Sequence, residues 1–237
     1  MIISRTPLRV SFFGGGTDMP QFFVNNGGAV LGTAINKYIY HTVSNFESKL
    51  FDYNMKVVYS KIESVNKLDE VKHFPYKTIL RHMKLERDLE CHLVADLPAY
   101  SGLGSSSAFT VGLLKVLHHL KNKKISKNKL ALDAINLERG IMKEAVGFQD
   151  QTFASYGGLN LIKFHNEKEF TVEKINISAA RKEELEQSLL MYFTGLTRQA
   201  QKIEEKKIEN IRSNEKKLKT ILLQVDQGLN VLTGSGS

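Results

Sequence analysis

A run of small and hydroxyl-bearing residues separates a hydrophobic stretch from an amphipathic helix pattern. Glycines let the backbone approach a ligand closely, hydroxyls donate hydrogen bonds, and the first turn of a helix adds unpaired amides and a positive dipole end. We therefore expect this run to hold a phosphate chain. A serine N-cap is the simpler structural interpretation, but it uses one of three consecutive serines. The run is Ser101, Gly102, Leu103, Gly104, Ser105, Ser106 and Ser107.

The serine-rich loop, residues 101–107, differs from the P-loop of many nucleotide-binding proteins. The pattern G-x-x-x-x-G-K-[ST] places a lysine against the phosphates, and this loop has no lysine. A metal ion held by a hydroxyl and a carboxylate is the natural substitute for that charge. A serine hydrolase is disfavoured, because no G-x-S-x-G elbow surrounds Ser105 to Ser107.

A second group of polar residues lies at the end of the first predicted strand. Arg9 is in this strand, and three glycines, Gly14 to Gly16, lead from it to Thr17 and Asp18. The glycines permit tight backbone geometry, and a carboxylate accepts two hydroxyl hydrogen bonds at once, which suits a sugar. Taken alone, the turn is equally typical of a glycine turn with an Asx cap, and Arg9 of a structural ion pair.

Two carboxylates are the remaining candidate site residues. Glu138 lies inside a helix pattern, and Asp150 lies near the start of a short predicted helix. Each has a structural explanation by itself, as a solvated helix carboxylate and as a helix cap. Phosphoryl transfer needs a phosphate loop, a metal site, a base and a balancing cation, because its catalysis is mostly positioning and charge neutralisation. The combination therefore predicts a phosphotransferase.

Several of these stretches resemble a known family. The stretches Pro7 to Asp18 and Pro98 to Ala108 resemble the first two signature motifs of the GHMP kinases, which include galactokinase, homoserine kinase and mevalonate kinase. Within this superfamily, the stretches 5–18, 147–151 and 192–198 resemble the bacterial D-glycero-D-manno-heptose 7-phosphate kinases. The resemblance covers nearly the whole chain.

The resemblance implies a role for each candidate residue. The loop 101–107 would wrap the phosphates of ATP, and Ser106 and Glu138 would hold Mg²⁺. Asp150 would act as general base or orient the attacking hydroxyl, while Arg9 would stabilise charge near the transferred phosphoryl group. The residues implied on the substrate side are Gly15, Gly16, Thr17, Asp18 and Arg198. For Arg198, a surface arginine near a turn is an equally good interpretation.

The implied activity is that of an ATP-dependent sugar kinase. Its expected substrates are ATP and D-glycero-D-manno-heptose 7-phosphate, and phosphorylation of the anomeric hydroxyl would give the 1,7-bisphosphate used to make nucleotide-activated heptose for lipopolysaccharide or capsule. A kinase for galactose or fucose is the nearest alternative. A noncatalytic module that holds RNA or anions is a third, although no basic stretch is interleaved with aromatic residues.

The implied fold is α+β. A ribosomal-protein-S5-like N-terminal domain would span residues 1–165, and residues 166–237 would begin a ferredoxin-like C-terminal domain. GHMP kinases carry a third, glycine-rich motif near their C-terminus, and it is missing before the final residue, Ser237. The Gly-Ser alternation at 234–237 is typical of an engineered tail, so we expect a truncated chain.

Composition sets wider limits. The chain has 237 residues, of which 42% are hydrophobic and 24% charged, so it can bury a substantial core. The net charge of +8 suits phosphorylated ligands as well as nucleic acid. Cys91 is the single cysteine, and neither a signal peptide nor a long apolar run is evident. A cytoplasmic protein without a membrane or nucleic-acid partner is expected.

Local patterns predict alternating strands and helices. β-Branched and aromatic residues indicate strands, and apolar residues spaced three or four apart indicate helices. The predicted strands are 2–13, 29–46, 57–62, 93–97, 159–164, 170–177 and 189–193. The predicted helices are 19–24, 68–85 with an interruption near Pro75, 105–120, 126–142, 149–155, a charged helix after 177, and 199–225.

Overall fold

The computed structural model describes residues 1–99, 101–192 and 214–234. Seven strands form one mixed sheet, and helices cover both of its faces. The strands are β1 (Ile2–Phe13), β2 (Gly28–Asn45), β3 (Met55–Val58), β4 (Ile62–Val65), β5 (Leu89–Ala95), β6 (Leu159–Asn166) and β7 (Glu169–Lys174). The helices are α1 (Pro20–Asn26), α2 (Phe74–His82), α3 (Ser105–Leu120), α4 (Lys127–Ile135), α5 (Gln149–Tyr156), α6 (Ala179–Gln187) and α7 (Glu215–Thr233).

The long strand β2 organises the sheet. It pairs antiparallel with β1 over most of its length, with β6 through residues 28–33, and with β5 through residues 39–45. The strand order is β4-β3-β5-β2-β6-β7, with β1 paired to β2 beside this path. The β3–β5 pair is parallel, which requires the crossover that α2 provides.

Alternate residues of β2 face different hydrophobic clusters. Val30 packs with Phe153 of α5, whereas Leu31 packs with Val225 and Leu232 of α7. Successive side chains of a strand point to opposite faces, so α5 and α7 cover opposite sides of the sheet. The largest cluster lies between the sheet and α3, whose Leu113, Leu114 and Leu117 are fully buried.

Most of the predicted strands and helices are confirmed, but a few differ in the structure. The predicted strand 57–62 is wrong: the structure has a hairpin of β3 and β4 that turns between Val58 and Ile62. The interruption predicted near Pro75 is confirmed: a 3₁₀ turn at Leu68–Glu70 ends before α2 begins at Phe74. Pro75 itself occupies the first turn of α2, where a missing amide costs nothing. The predicted strand 189–193 is wrong for residues 189–192, which have no regular structure.

Two predicted helices differ from the observed ones at their ends. The helix predicted at 126–142 begins as α4 and continues as a π-helical segment, Asn136–Ile141. The last predicted helix, 199–225, falls partly outside the described residues, and α7 runs on to Thr233. No helix in the described ranges is both long and apolar enough to span a bilayer.

A buried histidine gives the core an acid-sensitive point. His41 of β2 is fully buried, its ring lies 4.7 Å from that of Phe109, and neither ring nitrogen has a hydrogen-bond partner. Burial lowers the pKa of His41 to about 3. In the unfolded chain His41 therefore becomes protonated near pH 6.5, whereas in the folded chain it stays neutral until much lower pH.

This predicts a loss of stability as the pH falls below about 6.5. The free energy of unfolding should drop by about 2 kcal/mol between pH 6.5 and pH 5 through His41 alone. The change to make is His41→Phe, which keeps an aromatic ring and removes the titration. Urea unfolding of both proteins at pH 7 and pH 5 should show the smaller loss in the variant. Equal losses would exclude His41 as the source.

Candidate active site

The serine-rich loop joins β5 to α3 and begins the helix without a side-chain cap. Gly102 and Gly104 both have positive φ, 77° and 75°, and Gly104 is the N-cap of α3. The three serines are therefore the first residues of the helix, and no side chain caps its first turn. The serine N-cap interpretation is wrong at this helix. The amides that begin a 16-residue helix face the same loop as the serine hydroxyls.

Exposure differs among the residues of this loop. Gly102 and Ser106 are exposed, while Ser107 is buried. The Ser101 hydroxyl oxygen is buried and has no hydrogen-bond partner in the part of the chain that the structure describes. The loop thus presents one exposed hydroxyl and one buried hydroxyl that is free to donate.

Arg9 connects β1 to this loop and to α5. Its amide donates to the carbonyl of Leu103 over 3.1 Å, and its Nη1 donates to the carbonyl of Gly102 over 2.9 Å. Its Nε and Nη2 lie 2.9 and 2.7 Å from Oδ1 of Asp150. The ion pair is mostly buried, with 15% and 23% of the two side chains exposed. The structure thus brings Arg9, Asp150 and the loop together.

The two Asp150 oxygens have different surroundings. Both contacts from Arg9 reach Oδ1, and no described residue donates to Oδ2. A Cβ atom built on Gly104 would lie 3.3 Å from Oδ2, so this oxygen faces the loop. Asp150 therefore has one oxygen held by a cation and one directed toward the predicted phosphate site.

Glu138 lies at the base of the site and is completely buried. Its Oε2 accepts hydrogen bonds from Ser107 Oγ, over 2.9 Å, and from the Gln151 side-chain amide. Its Oε1 has no partner among the described residues. Burial raises the pKa of Glu138 to about 8, while the nearby donors of Thr110, Gln151 and Ser107 favour its ionised form.

The predicted metal ligands are placed differently from one another. The hydroxyl that bonds to Glu138 belongs to Ser107, whereas the Ser106 side chain is exposed at the loop. A buried carboxylate oxygen without a donor is suited to a hard cation, and an exposed serine oxygen beside a phosphate loop is a compatible second ligand. Residues 1–99, 101–192 and 214–234 contain no group of three or more His, Cys, Asp or Glu side chains arranged for a metal.

The glycine turn after β1 is shaped by contacts that exclude a side chain. A Cβ atom on Gly14, whose φ is 91°, would lie 2.0 Å from the carbonyl oxygen of Ala29. The Thr17 hydroxyl is buried against this turn, within 2.8 Å of the carbonyls of Gly14 and Ala29. Thr17 was expected to contact substrate, but its hydroxyl is occupied by the backbone of the turn.

Asp18 is also buried and is held by protein donors. Its Oδ1 accepts from the Gly16 amide, at 3.0 Å, and from Gln149 Nε2, at 3.1 Å. Its Oδ2 accepts one hydrogen bond, from the Gln149 amide at 3.2 Å. Burial, and secondarily the nearby Asp150, raises the pKa of Asp18. Oδ2 also packs closely against Gly147, where a Cβ atom would lie 1.9 Å from it.

Helix α7 closes one side of this turn. Leu218 and Leu222 pack on Met19 and Phe22, and a Cβ atom on Gly16 would lie 3.2 Å from Leu218 Cδ2. Gly15 has open space beside it. Arg198, the remaining predicted substrate residue, lies outside the described residues.

Sequence reasoning missed both glutamines that flank Asp150. Gln149 bonds to Asp18, and Gln151 bonds to Glu138. Their only signal in the sequence is their position beside a candidate base, because an amide side chain has no distinctive spacing of its own.

An apolar cavity of about 610 Å³ lies elsewhere, between α6, α7 and the end of β1. Its lining includes Phe12, Leu185 and Val231 and none of the predicted site residues. The predicted site residues Arg9 and Asp150 instead lie against the serine-rich loop.

The chain is similar to known sugar kinases. Residues 72–158 match the family described as the GHMP kinases N terminal domain. The chain is 33% identical over 214 residues to the D-glycero-alpha-D-manno-heptose 7-phosphate kinase of Campylobacter jejuni, an alignment covering 87% of this chain and 63% of the relative. It is 26% identical to the galactokinase of Pyrococcus furiosus, covering 84% of this chain and 54% of that protein. The chain thus spans less than two thirds of these relatives.

Solved structures share the fold. A D-glycero-D-manno-heptose 1-phosphate kinase from Bacteroides thetaiotaomicron has a TM-score of 0.73 at 25% identity, covering 100% of this chain and 83% of that one. The mevalonate kinase of Methanococcus jannaschii has a TM-score of 0.64 at 18% identity, covering 97% of this chain and 72% of that one, and shows the fold alone. The α+β class is therefore confirmed. Residues 72–158 thus match the N-terminal domain of the GHMP kinases, and the chain as a whole is similar to kinases of that family.

Proposed function

We propose that this protein is an ATP-dependent sugar kinase that phosphorylates the anomeric hydroxyl of D-glycero-D-manno-heptose 7-phosphate. The single observation that carries the proposal is the direct contact between Arg9, Asp150 and the serine-rich loop. The heptose kinase from Campylobacter jejuni, at 33% identity, supports the choice of acceptor. The names of the two heptose relatives differ in the phosphate position they specify, so the acceptor requires a direct test.

The loop would bind the nucleotide phosphates through the first amides of α3 and the hydroxyls of Ser101, Ser105 and Ser106. The helix dipole and these donors stabilise negative charge without a lysine. Mg²⁺ would be held by Ser106 and by Oε1 of Glu138, and when bound it neutralises phosphate charge. The Glu138 oxygen fits this role because it is buried and lacks a hydrogen-bond donor.

The transfer itself would use Asp150 and Arg9. The anomeric hydroxyl oxygen forms a bond to the γ-phosphorus of ATP, the bond from that phosphorus to the β,γ-bridging oxygen breaks, and ADP leaves. Asp150 Oδ2 accepts the hydrogen bond of the attacking hydroxyl and orients it, or takes its proton. Arg9 fixes Oδ1 and stabilises charge that develops on the phosphoryl oxygens.

The sugar would lie against the glycine turn. Gly15 has open space beside it and allows close approach, while Gly16, covered on one side by Leu218, would contribute through its backbone. Asp18 Oδ2 accepts one protein hydrogen bond and would accept a second from a sugar hydroxyl. We keep Arg198 as a candidate for the existing phosphate of the substrate, since a guanidinium binds phosphate through two parallel hydrogen bonds. Thr17 then contributes by holding the turn.

The finer description of the fold is part of the same proposal. Residues 1–165 would form the S5-like domain that binds nucleotide and sugar, and residues from 166 would begin a ferredoxin-like domain. In the structure β7, at Glu169–Lys174, continues the sheet of the first domain by pairing with β6. The sheet therefore extends slightly past the proposed boundary.

Removal of the Asp150 charge tests the proposed chemistry. In the full-length protein, Asp150→Asn should lower kcat with heptose 7-phosphate by about 100-fold or more, because an amide cannot accept the proton and orients a hydroxyl differently. ADP release measures the rate. Asp69→Asn, which makes the same change in an exposed ion pair on the surface, is the matched control and should leave kcat unchanged. Equal rates for wild type and Asp150→Asn would remove Asp150 from the mechanism.

A substrate panel tests the acceptor. Heptose 7-phosphate should give a kcat/KM at least tenfold above those of galactose and fucose, since binding of the existing phosphate adds specificity. A higher kcat/KM for galactose or fucose would reassign the acceptor. Salt-sensitive RNA binding with no ADP release on any sugar would contradict the kinase proposal.

The two loop glycines provide a matched pair for testing the loop. Both have positive φ, so an alanine causes similar backbone strain at either position, but only at Gly104 does the new methyl press on Asp150 and Arg9. Gly104→Ala should therefore lower kcat about tenfold further than Gly102→Ala at a similar melting temperature. ADP release and thermal unfolding provide the comparison. A kcat for Gly104→Ala equal to or above that for Gly102→Ala would contradict the placement of Asp150 against the loop.

A further inference from the structure

The first turn of α5 contacts three separate parts of the site through three consecutive residues. Asp150, in the middle, forms the ion pair with Arg9. The residues on either side, Gln149 and Gln151, are both glutamines, and each donates to a buried carboxylate. A glutamine amide donates without adding charge, so it can hold a carboxylate in place without neutralising it.

The Gln151 side chain contacts one of the two Glu138 oxygens. The Gln151 amide and the Ser107 hydroxyl both donate to Oε2, and all three residues are buried. No described residue donates to Oε1. The Thr110 hydroxyl donates to the Ser106 carbonyl, over 3.3 Å, and also lies close enough to the Glu138 carboxylate to favour its ionised form. Because the two donors converge on one oxygen, the carboxylate is rotated so that the other remains available to a cation.

Gln149 contacts both oxygens of Asp18. Its Nε2 donates to Oδ1 and its amide donates to Oδ2, so the carboxylate is held by one residue at both oxygens. The Gln149 side chain is itself anchored, because its Oε1 accepts a hydrogen bond from the Ser11 hydroxyl. This chain of contacts links β1, the glycine turn and α5.

We propose that Gln149 and Gln151 are positioning residues on the two sides of Asp150: Gln149 orients Asp18 toward the sugar, and Gln151 orients Glu138 toward the metal. The assignment rests on the proposed kinase function. A positioning role differs from simple core filling in its consequence. Each glutamine should affect the binding of one ligand, the sugar or Mg²⁺, and leave the binding of the other unchanged.

Matched methionine variants of the full-length protein test this assignment. Methionine has nearly the shape of glutamine and donates no hydrogen bond. One measurement is the Mg²⁺ concentration that gives half of the ADP-dependent rise in melting temperature, which requires no turnover. The other is the KM for heptose 7-phosphate at saturating MgATP.

Each variant should change one of the two measured quantities and leave the other nearly unchanged. Gln151→Met should raise the half-saturating Mg²⁺ concentration about tenfold and leave the sugar KM within twofold, since partners of metal ligands typically affect affinity 10–100-fold. Gln149→Met should raise the sugar KM about tenfold and leave the Mg²⁺ concentration within twofold. If both variants shift both quantities alike, or neither shifts either, the glutamines only fill space and the proposal fails.

Smaller substitutions cover the case of a variant that does not fold. Ser107→Ala removes the second donor to Glu138, and Ser11→Ala removes the anchor of Gln149. Each should repeat the effect of its methionine counterpart, and the opposite assignment of effects would overturn the proposal. If the wild-type protein turns over no sugar, the proposed kinase function is wrong. The Mg²⁺ measurement with ADP requires no turnover and still tests the role of Gln151.

Discussion

The guanidinium of Arg9 fixes the geometry on which the proposed site depends. It bonds simultaneously to the Gly102 carbonyl and to Asp150, while the backbone of the same residue bonds to Leu103. One residue of β1 thereby sets the distance between the serine-rich loop and the first turn of α5. A buried guanidinium without these partners would be costly, so the ion pair and the loop conformation support each other.

Burial of two other carboxylates places a second constraint on the fold. Asp18 and Glu138 are almost completely removed from solvent, and their pKa values are raised. Neighbouring amides and hydroxyls offset part of the cost, but Glu138 keeps one oxygen without a donor. Such an oxygen gains most from a cation, because a charge in a low-dielectric site interacts strongly with its partner.

Residue types and local patterns predicted the outline of this molecule: the strand of Arg9, the helix after the serine-rich loop and the start of α5 all lie where expected. Tertiary contacts decided the rest. Periodicity could not show that Ser107, rather than Ser106, reaches Glu138, because that depends on the rotation of α3 against the π-helical segment Asn136–Ile141. The burial of Thr17 likewise follows from the packing of its turn on Ala29, a contact between distant segments.

The most direct measurement is a crystal structure of the full-length protein with Mg²⁺ and a nonhydrolysable ATP analogue. The account predicts that the triphosphate lies along residues 101–107, with its γ-phosphate beside Arg9 and Asp150 and with Mg²⁺ on Oε1 of Glu138. A nucleotide bound away from this loop, or bound there with its γ-phosphate directed away from Asp150, would contradict the central claim.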